Sequence, residues 1–428
     1  MERQRIAIIG SGISGLACAW FLRHEHEVHL FEKENRVGGH THTISIAEGD
    51  REITLDTGFM VYNEVTYPLL TRLFRELDVE TKPTSMSFSV QQKEAGVEFN
   101  GGSLNLLFAQ RRNLFRPRFW KMLGRIARFN RETVKELSQP EYGDLSLREY
   151  VKARGYGDDF YQWYLSPMAA AVWSSPPREI DHFPAATLMR FWHNHGFLGL
   201  DTQHPWRTVT GGSQQYVRKI LACPEIQVHR GNPLVATSRH PDGTHQLTFE
   251  EGDAAVFDKV ILAAHGDQSN RLLADPSPLE TEILSAFRYQ KNEAVVHSDA
   301  SVMPERKRCW ASWNYRVERS PDSGEPRHST HYWMNSLQAV SDRKNYFVSI
   351  NPSSEPAAGT VHRRIPCEHP LFDRDAVRMQ ARLPELLTQS EHSGRYFCGA
   401  WQRNGFHEDG LWSAFNLCTS ILGKEPWS

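Results

Sequence analysis

Positions 5–32 constrain the fold more tightly than any other stretch. A short apolar strand, Ile6 to Ile9, runs into G-x-G-x-x-G at Gly10, Gly12 and Gly15. An apolar helical pattern then continues through Leu22, and "HEVHLFEKE" follows as a second strand that ends in Glu32. Each part has a mechanical reason. Gly10 permits a tight turn, Gly12 lets the backbone approach a pyrophosphate, and Gly15 lets helix and strand pack closely. The helix N-terminus, with Ser14 in its first turn, supplies N–H groups for phosphate. Glu32 is placed to accept from a ribose diol. Strand, glycine turn, helix, strand and acid in that order predict the first βαβ unit of an α/β, Rossmann-like domain.

Composition limits what else the chain can be. Its 428 residues suit one large domain or two to three interleaved ones. Lys plus Arg number 49 against 51 for Asp plus Glu, so no global charge points to nucleic acid. The run from Ile6 to Leu22 is too short and glycine-rich for a membrane span, and it lacks a signal-peptide cleavage site. The cysteines, at 18, 223, 309, 367, 398 and 418, are scattered, which reads as reduced thiols in a cytoplasmic protein. No metal site is expected. His24 with His26 and His40 with His42 are i,i+2 pairs, a spacing poor for ligation.

After Glu32 comes "KENRVGGHTHT". It resembles the second fingerprint of FAD enzymes in the amine oxidase superfamily, Arg-x-Gly-Gly-Arg-x-x-Ser/Thr, here Arg36, Gly38, Gly39, His40 and Thr43. His40 stands where the family has a second Arg, and imidazole is a weaker phosphate partner than guanidinium. "LDTGFMVYN" resembles the family's acid-x-Gly-aromatic stretch by the flavin ring, with Gly58 and Phe59, or else is an ordinary turn. The resemblance implies FAD as cofactor, held by Gly10, Gly12, Ser14, Gly15, Glu32, Lys33, Arg36, Gly38, Gly39, His40 and Thr41. It also implies an adenine contact through the backbone of Val235.

The middle of the chain is more ambiguous. Positions 110–131 carry eight Arg/Lys and no acid, with Phe115, Phe119, Trp120, Leu123, Ile126 and Phe129 at roughly helical spacing. That pattern suits a helix with one core face and one solvated basic face, or a helix that meets a membrane surface or anionic substrate. His195 in "FWHNHGFLGL" could be an acid or base, or a core histidine satisfied by backbone. Strands such as "NEAVVHSD", "CWASWNY" and "STHYWMNSLQ" make a second, aromatic region. Amine oxidases present a lysine to the flavin from the start of such a strand, and Lys291 is the nearest candidate.

The tail, "RYFCGAWQRNGFHEDGLWSAFNLCTSIL", reads as a strand at Tyr396–Cys398, a loop, and a helix starting near Gly410. In glutathione-reductase-type flavoproteins the last helix aims its N-terminus at the flavin. Gly399, Ala400, Glu408, Gly410 and Leu411 are therefore expected at the cofactor. Glu408 or Asp409 could cap the helix or bond a ribityl hydroxyl, and His407 could meet flavin or substrate. The resulting expectation is a glutathione-reductase-type FAD domain from 1–85, 205–275 and 390–428. It is interleaved with an α+β substrate domain from 86–204 and 276–389.

"NHGFL", "WRTVTGGSQQYV", "WASWNY", "YWMNSLQ", "SINP" and "GFHEDG" resemble a bacterial group of NAD/FAD-binding proteins related to flavin-dependent fatty-acid isomerases and desaturases. That resemblance implies hydride transfer from an unsaturated or methylated fatty-acyl chain, free or in a phospholipid, with His407, Glu408 and Tyr332 near the reacting centre. Peripheral contact with the inner membrane face through 110–131 would follow. A flavin amine oxidase and a non-catalytic flavin-binding partner protein are the alternatives.

Overall fold

The computed structural model describes residues 2–136, 144–199, 203–320 and 323–428. Strand β1 (Arg5–Ile9), helix α1 (Ile13–Leu22) and strand β2 (Glu27–Glu32) form the predicted unit. Nine of the ten α1 residues are buried, which explains its all-round apolar sequence: it is a central helix, not a surface one. β1 and β2 belong to a parallel five-stranded sheet. Its order runs Ile226–Arg230, β2, β1, Lys259–Leu262, Arg395–Phe397. The final strand thus begins and ends one residue earlier than expected.

Helix α2 (Pro68–Glu76) packs under this sheet with Leu70, Leu73 and Phe74 in the same core as α1. Helix α3 (Pro117–Glu136) crosses the second region and buries Phe119, Met122 and Phe129. Strand β3 (Arg288–His297) sits in a seven-stranded sheet, paired antiparallel with Phe347–Ile350 on one side and Val361–Leu371 on the other. All five strands of the parallel sheet come from 1–85, 205–275 and 390–428, and all seven of the other from 86–204 and 276–389.

The last helix, α4 (His407–Leu422), packs along α1. It starts three residues before the expected Gly410. Phe406 is no capping residue by type, so the start is not marked in the sequence. Asp409 supplies the cap from inside the helix, accepting from the Phe406 N–H at 3.0 Å.

Candidate active site

The glycine turn behaves as its spacing demands. Gly10 has φ +101°, and a Cβ there would lie 2.7 Å from the Ala263 carbonyl oxygen. A Cβ on Gly15 would lie 1.9 Å from the Gly10 oxygen, so helix and strand touch backbone to backbone. Gly12 is the opposite case: nothing lies within 4 Å of where its Cβ would be. The one glycine assigned to phosphate approach is thus the one that faces open space, above the uncapped N-terminus of α1.

Glu32 has a second task that the sequence did not reveal. Its carboxylate accepts from the N–H and hydroxyl of Ser11 and from the Glu34 N–H at 3.1 Å. The Ser11 oxygen in turn accepts from the Gly38 N–H at 3.1 Å. Acid, first loop and second loop are one chain of hydrogen bonds. Arg36 holds the second loop shut by donating to the carbonyls of Thr41 (3.0 Å) and Gly39 (2.9 Å). A Cβ on Gly39 would lie 3.0 Å from the Gly12 Cα, so the two loops are in contact. Lys33 and the His40 ring are exposed beside them.

The stretch at 56–59 anchors the cradle from beneath. Buried Asp56 accepts from the Ser213 N–H (2.9 Å), the Ser213 hydroxyl (2.7 Å) and the Gln338 amide (2.7 Å). Burial pushes its carboxyl upward, and those donors hold it down. Gly58 has no room for a side chain, since a Cβ would meet the His40 oxygen at 2.2 Å. Phe59 stacks on the His407 ring at 3.8 Å and 14°.

His407 Nε2 lies 3.0 Å from the Thr41 hydroxyl and 3.2 Å from that of Tyr216. Desolvation lowers its pKa to about 3, so the ring is neutral. Gly410 packs against α1: a Cβ there would lie 2.7 Å from Ile13 Cγ2. Gly399 donates its N–H to Ser413 (2.9 Å), Ala400 begins the turn that follows, and Leu411 is buried in the core of α1.

The two tail acids are helix caps. Glu408 accepts from the N–H groups of Leu69 (2.9 Å) and Leu70 (3.0 Å), in the first turn of α2. Both its oxygens are engaged, so its geometry is that of a cap, not of a group presented to a reactant. Desolvation raises its pKa to about 7 and that of Asp409 to about 6. Between them and the glycines, Phe406 stacks on Phe191 (4.9 Å, 20°), and Trp173 donates to the Asn404 carbonyl at 3.1 Å.

His195 takes the structural alternative. It ends its helix, and its Nδ1 meets the Phe191 carbonyl at 2.9 Å. Tyr332 is almost fully buried with Ile44, Met60 and Val348, and its hydroxyl reaches Ser174. Lys291 is exposed on β3, and the neighbouring side chain, Asn292, is the buried one.

Asn292 is the centre the sequence missed. Its amide nitrogen lies 3.1 Å from the Ser174 carbonyl and 2.7 Å from His369 Nδ1. Its oxygen accepts from Asn351 (2.7 Å) and Gln290 (3.1 Å). Ser174 and Asn351 both hold left-handed backbone, φ +49° and +46°. Two strained residues meeting one amide mark a site held in place by its surroundings. His369 faces His40 at 5.5 Å between ring centroids, and desolvation takes its pKa to about 3. The one signal in the sequence was His40 itself, standing where an arginine was expected.

These observations test the cofactor. The open face of Gly12, the bare helix N-terminus and the joined loops fit a dinucleotide. Gln214 Oε1, beside Gly38, is buried without a protein partner, and so is His42 Nδ1. Val235 is the residue skipped in the register between Leu234 and Ala236, an irregularity that suits a backbone contact to adenine. The family model for flavin containing amine oxidoreductases matches residues 13–332. The chain belongs to that family.

Its cofactor is FAD, and it is an FAD-dependent oxidoreductase of the amine oxidase superfamily. A coproporphyrinogen III oxidase of Staphylococcus aureus (strain NCTC 8325 / PS 47) is 25% identical over 174 residues, 40% of this chain and 36% of that protein. The chain thus matches about a third of that relative's length. Two solved structures share the fold across the whole chain. The CLA-producing fatty acid isomerase from P. acnes has TM-score 0.65 and 15% identity, covering 97% of this chain and 98% of the other. Putrescine oxidase bound to putrescine has TM-score 0.66 and 14% identity, covering 99% and 100%.

Proposed function

We propose that this FAD-dependent oxidoreductase takes hydride from an unsaturated or methylated fatty-acyl chain, to desaturate it or to move its double bond. The observation that carries this reading is that the tail offers no free carboxylate. Both acids of "GFHEDG" are tied to backbone as caps, while His407 and His369 stay uncharged, beside an aromatic group of Trp173, Phe191 and Phe406. A surface that presents no free carboxylate suits a hydrocarbon better than an ammonium ion, which a carboxylate would have to balance. The turning of Lys291 to solvent supports the same preference over amine oxidation.

Bound flavin supplies the two-electron chemistry, as the hydride acceptor. The protein's part is to bind, orient and exclude water. Thr41, Tyr216 and Phe59 fix the His407 ring. Asn292 fixes His369 and ties it to Ser174, beside the hydroxyl of Tyr332. We assign His407 and His369 as neutral hydrogen-bonding groups at the reacting centre and Asn292 as the positioning residue behind them. Glu408 positions α4 against α2.

The test is anaerobic. Oxidised holoprotein is mixed with detergent-dispersed unsaturated fatty acids or phospholipids, and the flavin bands and lipid products are followed. Bleaching, or conversion of the lipid to a double-bond isomer, is the expected result. Bleaching by putrescine and by no lipid would overturn the reading in favour of amine oxidation. A flavin that no donor reduces, with every lipid recovered unchanged, would overturn it in favour of a binding role.

A further inference from the structure

Four large apolar side chains between positions 104 and 120 are exposed: Leu104, Leu114, Phe115 and Trp120. Phe115 is 85% and Leu104 73% exposed. Trp120 is held in place, its ring 5.1 Å from Phe108 and its N–H donating to the Leu114 carbonyl at 2.9 Å. Leaving such side chains in water forgoes the free energy that burying them would return. Phe108, on which the Trp120 ring packs, lies one helical turn from Leu104 and donates to its carbonyl at 3.2 Å, so these side chains are linked into a group, and such a group is the kind of patch that marks an interaction site.

The charge around the patch is predominantly basic, with exposed Glu305 beside Lys307 and Glu94 in the turn that Arg112 and Arg116 reach as its acids. Positions 99–131 contain no acid. A second segment adds to it from nearly two hundred residues away: the turn Lys307–Cys309 packs on the helix Leu104–Leu107 and exposes Lys307 and Arg308. Arg118 is paired with Asp159, and Arg306 with Glu98. Among the described residues, Arg111, Arg112, Arg116, Lys121, Lys307 and Arg308 have no carboxylate partner. Arg112 and Arg116 both donate to the Gly96 carbonyl, so two guanidinium groups share one neutral oxygen. An anion from outside would relieve that repulsion.

Projecting apolar tips ringed by unpaired cations fit one partner better than others. Nucleic acid would match the cations and could stack on Phe115, but it would leave the outward Leu104 and Leu114 unburied. We propose that this face docks on an anionic phospholipid bilayer. Phe115 and Leu104 enter the acyl boundary, and the six unpaired cations meet the headgroups. The proposal deepens the acyl-chain reading, because it names the surface from which such a substrate would come, and it is read out without turnover.

Holoprotein is sedimented with vesicles of phosphatidylcholine alone and of phosphatidylcholine mixed with phosphatidylglycerol. Binding to the mixed vesicles, lost at high salt and weak on phosphatidylcholine alone, is the expected result. Phe115→Ser lowers it roughly tenfold or more. Lys307→Glu with Arg308→Glu lowers it at least roughly fivefold per residue. These side chains make no hydrogen bonds that the fold needs, and an unchanged flavin spectrum confirms each variant's integrity. Equal binding by wild type and variants, or equal binding to neutral vesicles, overturns the proposal. So does a wild-type dimer that Phe115→Ser splits and that ignores vesicles, since the patch is then a contact between copies. Vesicle binding with no lipid either reducing the flavin or converted to a product keeps the surface and sinks the substrate reading; the converse result does the reverse.

Discussion

The hydroxyl of Ser14 donates to the carbonyl of Gly410 at 3.0 Å, joining the first helix of the chain to the last across 396 positions. The bond is possible because Gly410 has no side chain. A Cβ there would lie 2.9 Å from the same Ser14 oxygen and 2.7 Å from Ile13 Cγ2. The glycine fingerprint and the tail therefore form one structure, and the tail's helix is registered by contact with the fingerprint helix.

Gly410→Val should accordingly push α4 off α1. Overpacking of this kind costs about 1–3 kcal/mol, and the displaced helix start should also weaken FAD retention. Thermal unfolding of the holoprotein and a fluorescence titration of apoprotein with FAD measure the two effects. Loss of stability with unchanged FAD affinity would separate the tail from the cofactor site.

Glu32→Gln tests the loop-joining role. The wild-type carboxylate holds Ser11 by two donors and Glu34 by a third, and Ser11 holds Gly38. Glutamine offers one acceptor oxygen and a competing donor. Hydrogen bonds to charged groups contribute about 1.5–3 kcal/mol each, so losing one predicts roughly tenfold or greater weakening of FAD binding. The same titration reads it.

Asn292→Ala removes an amide that four segments share. Ser174 and Asn351 lose the partner that compensates their left-handed backbone, and buried polar atoms are left unpaired. The expected loss is about 2–4 kcal/mol of stability. Asn292→Asp separates structure from chemistry. It keeps the shape and adds a charge beside His369, so it should raise that histidine's pKa and introduce a pH dependence into flavin reduction that the wild type lacks.

The fingerprint was legible because its glycines fall at a fixed spacing between a strand and a helix only a few residues apart, with Gly10 at positive φ and Gly15 packed on the Gly10 oxygen. Gly410 could be read only as a place of close approach, because what crowds it is Ile13 and Ser14, at the other end of the chain. Of the tail acids, Asp409 caps its helix as one of the expected alternatives, but the role of Glu408 was not legible, because the N–H groups it satisfies belong to α2, more than three hundred positions earlier. Asn292 was invisible for a like cause: its partners come from positions 174, 290, 351 and 369, and no periodicity in "NEAVVHSD" announces them. The start of α4 was misplaced because its cap is Asp409 inside the helix, behind an unmarked Phe406.

Stability against pH gives the last prediction, and two opposed sets of groups compete in it. Glu408 and Asp409 have folded pKa values raised to about 7 and about 6. The native state binds their protons more tightly, so these two favour acid and lose stability as pH rises from about 4 to 7. His195, His245 and His297, lowered to about 4, and His331, lowered further, act the other way. All four are at most 9% exposed. Their contribution is complete above about pH 6.5 and declines as pH falls toward their folded values. One pH unit is about 1.4 kcal/mol per group, so these four histidines outweigh the two acids below pH 6.5, and His369 and His407, lowered to about 3, act in the same sense. Above pH 6.5 the histidines are silent and Glu408 alone remains, with a shallow fall to pH 7. Urea midpoints should therefore peak near pH 6.5 and drop steeply on the acid side. Glu408→Gln should erase the shallow alkaline limb and leave the acid limb in place. A wild-type midpoint that holds constant down to pH 5 would mean that the buried histidines already carry protons in the folded chain.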